Sequence, residues 1–110
     1  MPKKHFQAYP TGGIKETFNK RDYTLLPWDV INDIVDVMAY GANKYSRDNW
    51  KLVPKEEYLK ASLRHLIAVV QNETVDEESG HKHLIHAACD VIYAASNDSQ
   101  TSEQKVGADV

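Results

Sequence analysis

The sequence predicts an all-α protein, a small bundle of three main helices preceded by an irregular basic arm. Three segments repeat apolar residues at the three- or four-residue spacing of an amphipathic helix. No segment alternates apolar and polar residues in a way that predicts a strand. Three such helices in 110 residues bury only a thin core. We therefore expect a homo-oligomer in which the copies share their apolar faces.

The first region, residues 1–26, is predicted to be an ordered or semi-ordered arm without helical periodicity. Its basic residues Lys15, Lys20 and Arg21 stand among glycine, threonine and asparagine. Glycine-rich backbone beside basic side chains can wrap a phosphate group, so Lys15 and Lys20 are candidate nucleotide-binding residues. The arm matches no Walker-type pattern, and the alternative is a simple linker.

The helical domain is predicted to span residues 27–96. Pro27 is well placed to open the first helix, because the fixed φ of proline suits the first helical turn. Gly41 either ends this helix in a left-handed conformation or lets it continue for another turn. The predicted buried face of the first helix consists of Val30, Ile31, Ile34, Val35, Val37 and Met38.

Two further helices are predicted, one at about 55–71 after Pro54 and one at about 81–96. Residues 97–110 are polar and aperiodic, which predicts a disordered tail. The predicted core residues are Tyr58, Leu59, Leu63, Leu66, Ile67 and Val70 in the second helix, and Leu84, Ile85, Ala88, Val91, Ile92 and Ala95 in the third.

Composition and charge argue against several classes of protein. The net charge of −3 argues against a general duplex-binding protein, which needs a strongly positive surface. No apolar run approaches the roughly 20 residues that cross a bilayer, and the first residues lack the apolar core of a secretory signal. The single cysteine, Cys89, excludes an internal disulfide and is predicted to be buried and unreactive among apolar neighbours. We expect a cytoplasmic protein that binds neither duplex nucleic acid nor a membrane.

Histidines on the third predicted helix form the first candidate site. His83, His86 and Asp90 are spaced i, i+3 and i+7, which places them on one face of a helix. His65 lies midway along the second helix and would face them if the two helices pack antiparallel. Imidazole and carboxylate groups on facing helices can bind a divalent metal ion or, without a metal, bind phosphate and transfer protons. The alternative is a set of solvated surface residues, because this spacing is not a specific metal signature.

An acidic segment, Asp76 to Glu78, precedes the third helix. Carboxylates here would stabilise the N-terminus of the helix, which we favour, or complete a magnesium site through Glu77. The predicted ligands of a Mg or Mn ion are accordingly His83, His86, Asp90 and Glu77.

A second candidate site is the segment GANKYSRDNW, residues 41–50. Lys44 and Arg47 could pair with phosphate. Asn49 could bind the edge of a base, and Trp50 could stack on one. The alternative is that Lys44 stabilises the C-terminus of a helix and that Trp50 packs in the core.

Several short motifs occur in an order that resembles one protein family. They are GIKE…NKRDYTLLPWDVI, GANKYSRDNW, LRHL and DEESGHKHLIHAACDVIYA. Over residues 11–96 the chain resembles the small phage and bacterial family of dATP/dGTP diphosphohydrolase N-terminal domains. The resemblance implies an all-α nucleotide-handling domain that hydrolyses deoxypurine triphosphates to monophosphate and pyrophosphate, in the host cytoplasm if the chain is phage-encoded. Asp90 departs from the family pattern, and the matching positions are Lys15, Lys44, Tyr45, Asn49, Trp50, Arg64, His65 and His83.

Residues and resemblance together predict a purine nucleotide pyrophosphohydrolase. Lys44, Arg64 and the basic arm would hold the phosphates, while His65 and His83 act in catalysis beside a divalent cation that activates water. The alternative is a phage-type protein that sequesters a purine nucleotide without hydrolysing it. The Glu-x-x-Glu metal motif of MazG-type pyrophosphohydrolases is matched here only by Asp33-x-x-Asp36, which fits that alternative. A third option is a structural helical oligomer without a small ligand.

Overall fold

The computed structural model describes residues 6–109, with side chains for residues 6–98. Three long helices make up most of it, which confirms the predicted helical architecture. None of the helices in this part combines the length and the apolar character needed to cross a membrane. The elements in chain order are β1 (Phe6–Ala8), β2 (Ile14–Glu16), a 3₁₀ turn (Tyr23–Leu25), α1 (Trp28–Lys44), a second 3₁₀ turn (Asn49–Leu52), α2 (Lys55–Val70) and α3 (His83–Asp109).

The arm contains a short hairpin, so the prediction of no strand is wrong. β1 and β2 pair antiparallel, with Gln7 opposite Lys15. Gly12 has a φ of 92°, which glycine adopts without strain, and its N–H donates to the carbonyl of Tyr9 at 2.9 Å. Strands of only three residues are too short to show an alternating pattern, which explains why the sequence did not reveal them.

α1 begins directly after Pro27, as predicted. Of the two alternatives for Gly41, continuation is correct, because the helix runs on to Lys44. The last turn closes where the N–H of Tyr45 donates to the carbonyl of Gly41 at 3.0 Å. This additional turn positions Lys44 and Tyr45 at the end of the helix.

The core lies where α1 crosses α3. Ile34 and Val37 of α1 form one buried cluster with Ile85 and Cys89 of α3. Burial raises the pKa of the Cys89 thiol to about 12, so the predicted unreactive thiol agrees with the structure. Partly buried residues that pack against this cluster are Ile31, Met38, Ala88 and Tyr93.

α2 packs on α3 through a small and polar face, contrary to prediction. Ser62 is buried, and its hydroxyl donates to the carbonyl of Ala87 at 3.1 Å. Small side chains at the contact allow two helix axes to approach closely. The predicted core residues that are exposed instead are Leu59, Leu63, Leu66, Ile67 and Val70 in α2, Leu84, Val91, Ile92 and Ala95 in α3, and Val30 and Val35 in α1.

α3 extends beyond its predicted end near Ser96, as far as Asp109. Asn97, placed by the sequence in a disordered tail, is only 3% exposed. Its side-chain amide donates to the carbonyls of Trp50 and Val53, both at 2.8 Å. Asn97 therefore holds the loop between α1 and α2 against α3.

Candidate functional site

A cavity of about 570 Å³ lies among the three helices, beside the 3₁₀ turn at Asn49–Leu52. Its volume is typical of small-molecule sites. The predicted site residues that line it are Lys44, Tyr45, Arg47, Asn49, Trp50, Arg64, His65, His86 and Asp90. Lys15 and Lys20 do not line it and are exposed in the arm. The fold thus joins the loop site and the histidine site in one cavity.

His65 and His83 meet across the α2–α3 contact, as the antiparallel arrangement predicted. Their Nδ1 atoms lie 2.8 Å apart, so one ring donates its proton and the other accepts it. The Nε2 atom of His83 lies 3.8 Å from Glu73 Oε2, and this carboxylate favours a proton on that nitrogen. In the tautomer in which His83 Nε2 carries the proton, on the side of Glu73, His83 Nδ1 accepts, His65 Nδ1 donates, and His65 Nε2 has a free lone pair.

Burial, and next the neighbouring His83, lower the pKa of His65. The neutral imidazole is therefore the main form near neutral pH. A neutral ring on a cavity wall, with a lone pair on Nε2, has the properties of a general base. His83, which is only 8% exposed, fixes the orientation and tautomer of that base.

His86 lies flat against His65, with ring centroids 4.6 Å apart and planes 11° from parallel. Its Nε2 atom is 2.7 Å from Ser79 Oγ and 3.8 Å from Asp76 Oδ2. The Ser79 Oγ atom also accepts the backbone N–H of His81 at 3.2 Å, so its own proton is available for His86. Burial, followed by His65, lowers the pKa of His86. His86 is thus a positioned, mainly neutral neighbour of His65.

The connection between α2 and α3 forms a tight turn that sequence reasoning did not assign. The Asp76 carboxylate accepts the backbone N–H of Ser79 at 3.0 Å. Burial raises the pKa of Asp76, but the hydrogen bonds from Ser79, together with the nearby His86 and His65, lower it overall. Gly80 has a φ of 77°, which favours glycine at that position. The pattern D-x-x-S-G is a turn signal that could have identified this role.

The residues predicted as metal ligands are not brought together. His83 contacts His65 and Glu73, while His86 contacts Ser79. His83 and Glu77 line a second cavity of about 490 Å³ rather than the first. Among the side chains of residues 6–98, no group of His, Cys, Asp and Glu is arranged to hold a metal ion. The set predicted for Mg or Mn therefore does not fit a metal site in this arrangement.

Asp90 lies on the cavity wall, and its Oδ2 atom is buried without a hydrogen-bond partner in the described part of the chain. Burial raises its pKa to about 7, although Arg64 opposes the shift. A carboxyl group with this pKa exchanges its proton near neutral pH. Its proximity to Arg64 also limits the positive potential on this side of the cavity.

Replacing Asp90 with asparagine is expected to stabilise the protein more at high pH than at low pH. The raised pKa means that the folded chain holds the proton where the unfolded chain has released it. The stability from that proton is lost as the pH rises toward and through about 7. Asparagine has similar shape and stays neutral, so its advantage should grow with pH. Thermal unfolding at about pH 5 and about pH 8.5 measures the difference.

Asp33→Asn is the matched control, because Asp33 is an exposed carboxylate of α1. It should change stability by less than about 0.5 kcal/mol at either pH. An Asp90→Asn protein that melts at a lower temperature than the original chain at about pH 8.5 would contradict the prediction.

Trp50 packs against Tyr93 at the cavity wall. Its ring stacks on Tyr93 at 4.7 Å and 14°, and Lys51 Nζ lies 5.7 Å from its centre. These contacts favour the interpretation of Trp50 as part of the core. Tyr45 lines the same cavity and is 66% exposed, which makes it the better placed aromatic ring for a ligand.

The cations of the cavity are partly neutralised by nearby carboxylates. Lys44 Nζ lies 2.5 Å from Glu78 Oε1, and the Tyr40 hydroxyl donates to the same oxygen at 3.3 Å. The hydrogen bond from Lys44 is the main reason that the pKa of Glu78 is lowered. Arg47 and Arg64 also line the cavity. An incoming anion can therefore replace the Glu78 carboxylate at Lys44.

No solved structure significantly matches the chain. A protein of Salmonella phage PMBT28 named dATP/dGTP diphosphohydrolase is 30% identical over 95 residues, which are 84% of this chain and 33% of that protein. The chain thus spans about a third of the length of that relative. The family model described as "dATP/dGTP diphosphohydrolase, N-terminal" matches residues 10–106, and the chain belongs to this family.

Proposed function

We propose that the chain hydrolyses deoxypurine nucleoside triphosphates to monophosphate and pyrophosphate in the cavity among its helices. The observation that carries the proposal is His65, held by His83 on the wall of a cavity of nucleotide size that is also lined by cations. Family membership and the name of the phage relative support the substrate class.

Binding would rest on the cationic and aromatic residues at the cavity rim. Arg47 and Arg64 can form bidentate contacts with phosphate oxygens, and the Lys44 ammonium can pair with a phosphate oxygen once Glu78 is displaced. Tyr45 would stack on the purine, since an aromatic ring can stack on the flat face of any base. Asn49 would bind the edge of the base through its amide. This arrangement accounts for the predicted binding residues of the loop, apart from Trp50.

Hydrolysis would begin with a water molecule at His65 Nε2. The water oxygen forms a bond to the α-phosphorus while the bond from that phosphorus to the bridging oxygen breaks. Pyrophosphate leaves with the bonding electrons, and the proton of the water goes to His65 and then to solvent. Glu73 and His83 favour the required tautomer, in the manner of the third member of a catalytic triad. Positive charge from the two arginines stabilises the leaving group.

Replacing Glu78 with glutamine is expected to tighten nucleotide binding by about two- to fivefold, a range typical of exposed ion pairs. The Lys44–Glu78 pair is partly exposed, so its loss costs little stability and makes Lys44 available for phosphate. Calorimetric titration of dATP and dGTP checks this when each variant also carries His65→Asn, which should prevent turnover. Glu77→Gln is the matched control because Glu77 does not line the same cavity. Equal affinities of the Glu78 and Glu77 variants would argue against a role for Lys44 in binding.

Incubation with each deoxynucleoside triphosphate, followed by chromatography of the products, tests the proposed reaction. Parallel samples with Mg, with Mn and with a chelator show whether the divalent cation predicted from the sequence is needed. Monophosphate and pyrophosphate in equal amounts support hydrolysis. Intact nucleotide recovered from denatured protein would indicate sequestration instead. A protein whose melting temperature no nucleotide raises would support neither function.

A further inference from the structure

The outward side of α2 is more apolar than the side that packs on α3. Leu63 is 59% exposed, Ile67 48% and Val70 80%, whereas the buried residue of α2 is Ser62. A surface helix normally turns its apolar stripe toward the core and its polar residues toward water. α2 has the reverse orientation, which is typical of a helix that buries its apolar stripe against another molecule.

α3 contributes a second exposed apolar stripe beside that of α2. With 3.6 residues per turn, the exposed residues of α2 lie on the opposite side from its cavity residues Ala61 and Arg64. In the same way Leu84 and Val91 of α3 lie away from Asp90. The two stripes together form what we term the back face: Leu59, Leu63, Leu66, Ile67, Val70, Leu84, Val91 and Ile92.

The size of the back face matches a protein interface. Its residues are between 40% and 80% exposed. If each presents on the order of 100 Å² to solvent, the face supplies about 800 Å², which is what each partner contributes to a standard interface. The eight residues that form it are uncharged, and Glu56 and Lys60 lie beside them on the same side of α2. Twofold symmetry brings one patch against an identical patch, so apolar residues would meet apolar residues across it.

We propose that the back face is the interface of a homodimer, in which α2 and α3 of one copy pack on α2 and α3 of the other. The two cavities then lie on opposite outer sides of the dimer. In the dimer the apolar stripes of the two copies are buried against each other, whereas in a single copy they face solvent. This proposal stands independently of the proposed hydrolysis.

Sedimentation velocity of the whole chain across a range of concentrations tests the dimer. The chain should sediment as a dimer at micromolar concentration, and Leu63→Glu should raise the dissociation constant at least about 100-fold, because symmetry introduces the buried charge twice. Val35→Glu is the matched control, since Val35 is 54% exposed on α1 and outside the back face. It should leave the dimer intact. Circular dichroism establishes that both variants remain helical.

If Leu63→Glu fails to fold, cross-linking tests the dimer independently. Cys89 is buried, so Ile67→Cys introduces an accessible thiol that a short bismaleimide should join into covalent dimers. Val35→Cys should give none. A monomeric original chain, a Leu63→Glu dimer as tight as the original, or equal cross-linking at positions 35 and 67 would each overturn the proposal.

Discussion

Replacing His65 with asparagine should lower turnover of dATP and dGTP between about 100- and 10,000-fold, the usual contribution of a general base. The asparagine amide can take the place of the ring Nδ1 atom, which lies 2.8 Å from His83 Nδ1, so the helix contact is preserved. What is lost is the Nε2 lone pair, which accepts the proton of the attacking water. Substrate affinity should change little, because the phosphate contacts come from other residues.

Two histidine variants distinguish the base from its neighbours. His83→Asn should lower turnover less and shift the pH profile, because it removes the group that fixes the tautomer of His65 rather than the base. His81→Asn is the control. The ring centroid of His81 lies 5.9 Å from that of Tyr40 and 6.0 Å from that of His86, and His81 does not contact His65. A folded His65→Asn protein with more than about a tenth of the original activity would place the base elsewhere.

Replacing Asn97 with alanine should lower the free energy of unfolding by about 2 to 3 kcal/mol. The side-chain amide is buried and donates to two backbone carbonyls, those of Trp50 and Val53. Alanine removes both hydrogen bonds and leaves the two carbonyls without this donor. For a chain of this size, the loss corresponds to a melting temperature about 10 °C lower. Thermal and urea unfolding both measure it.

Ser96→Ala is the neighbouring control. The Ser96 hydroxyl donates to the carbonyl of Ile92 in its own helix at 2.9 Å, a local bond that crosses no helix contact. Its removal should change stability by less than about 0.5 kcal/mol. If Asn97→Ala and Ser96→Ala prove equally stable, Asn97 does not hold the loop. Reduced nucleotide affinity of Asn97→Ala would show in addition that Asn49 depends on this tether.

Part of the candidate site could be predicted because helical spacing is a local property. His65 and His83 were expected to meet, since antiparallel helices that pack side by side bring their facing turns together, and they do. The hydrogen bonds of each ring could not be predicted from the sequence. They depend on Glu73 and Ser79, whose positions follow from the turn between α2 and α3. The metal set was inferred from residue types, whereas the ring nitrogens contact other side chains.

The sequence by itself determined that there are three helices and where most of them begin, but not where α3 ends, because proline geometry and apolar periodicity act over a few residues. It also placed the loop residues and His65 among the site candidates. Only the tertiary structure decided which side of each apolar stripe is buried, since periodicity is the same for a core and for an interface. Asn97 is a second example. Its polar side chain predicts a place in a solvated tail, but folding brings the distant carbonyls of Trp50 and Val53 to 2.8 Å from its amide. Contacts between residues far apart in the chain depend on the packing of whole helices, which no local pattern encodes.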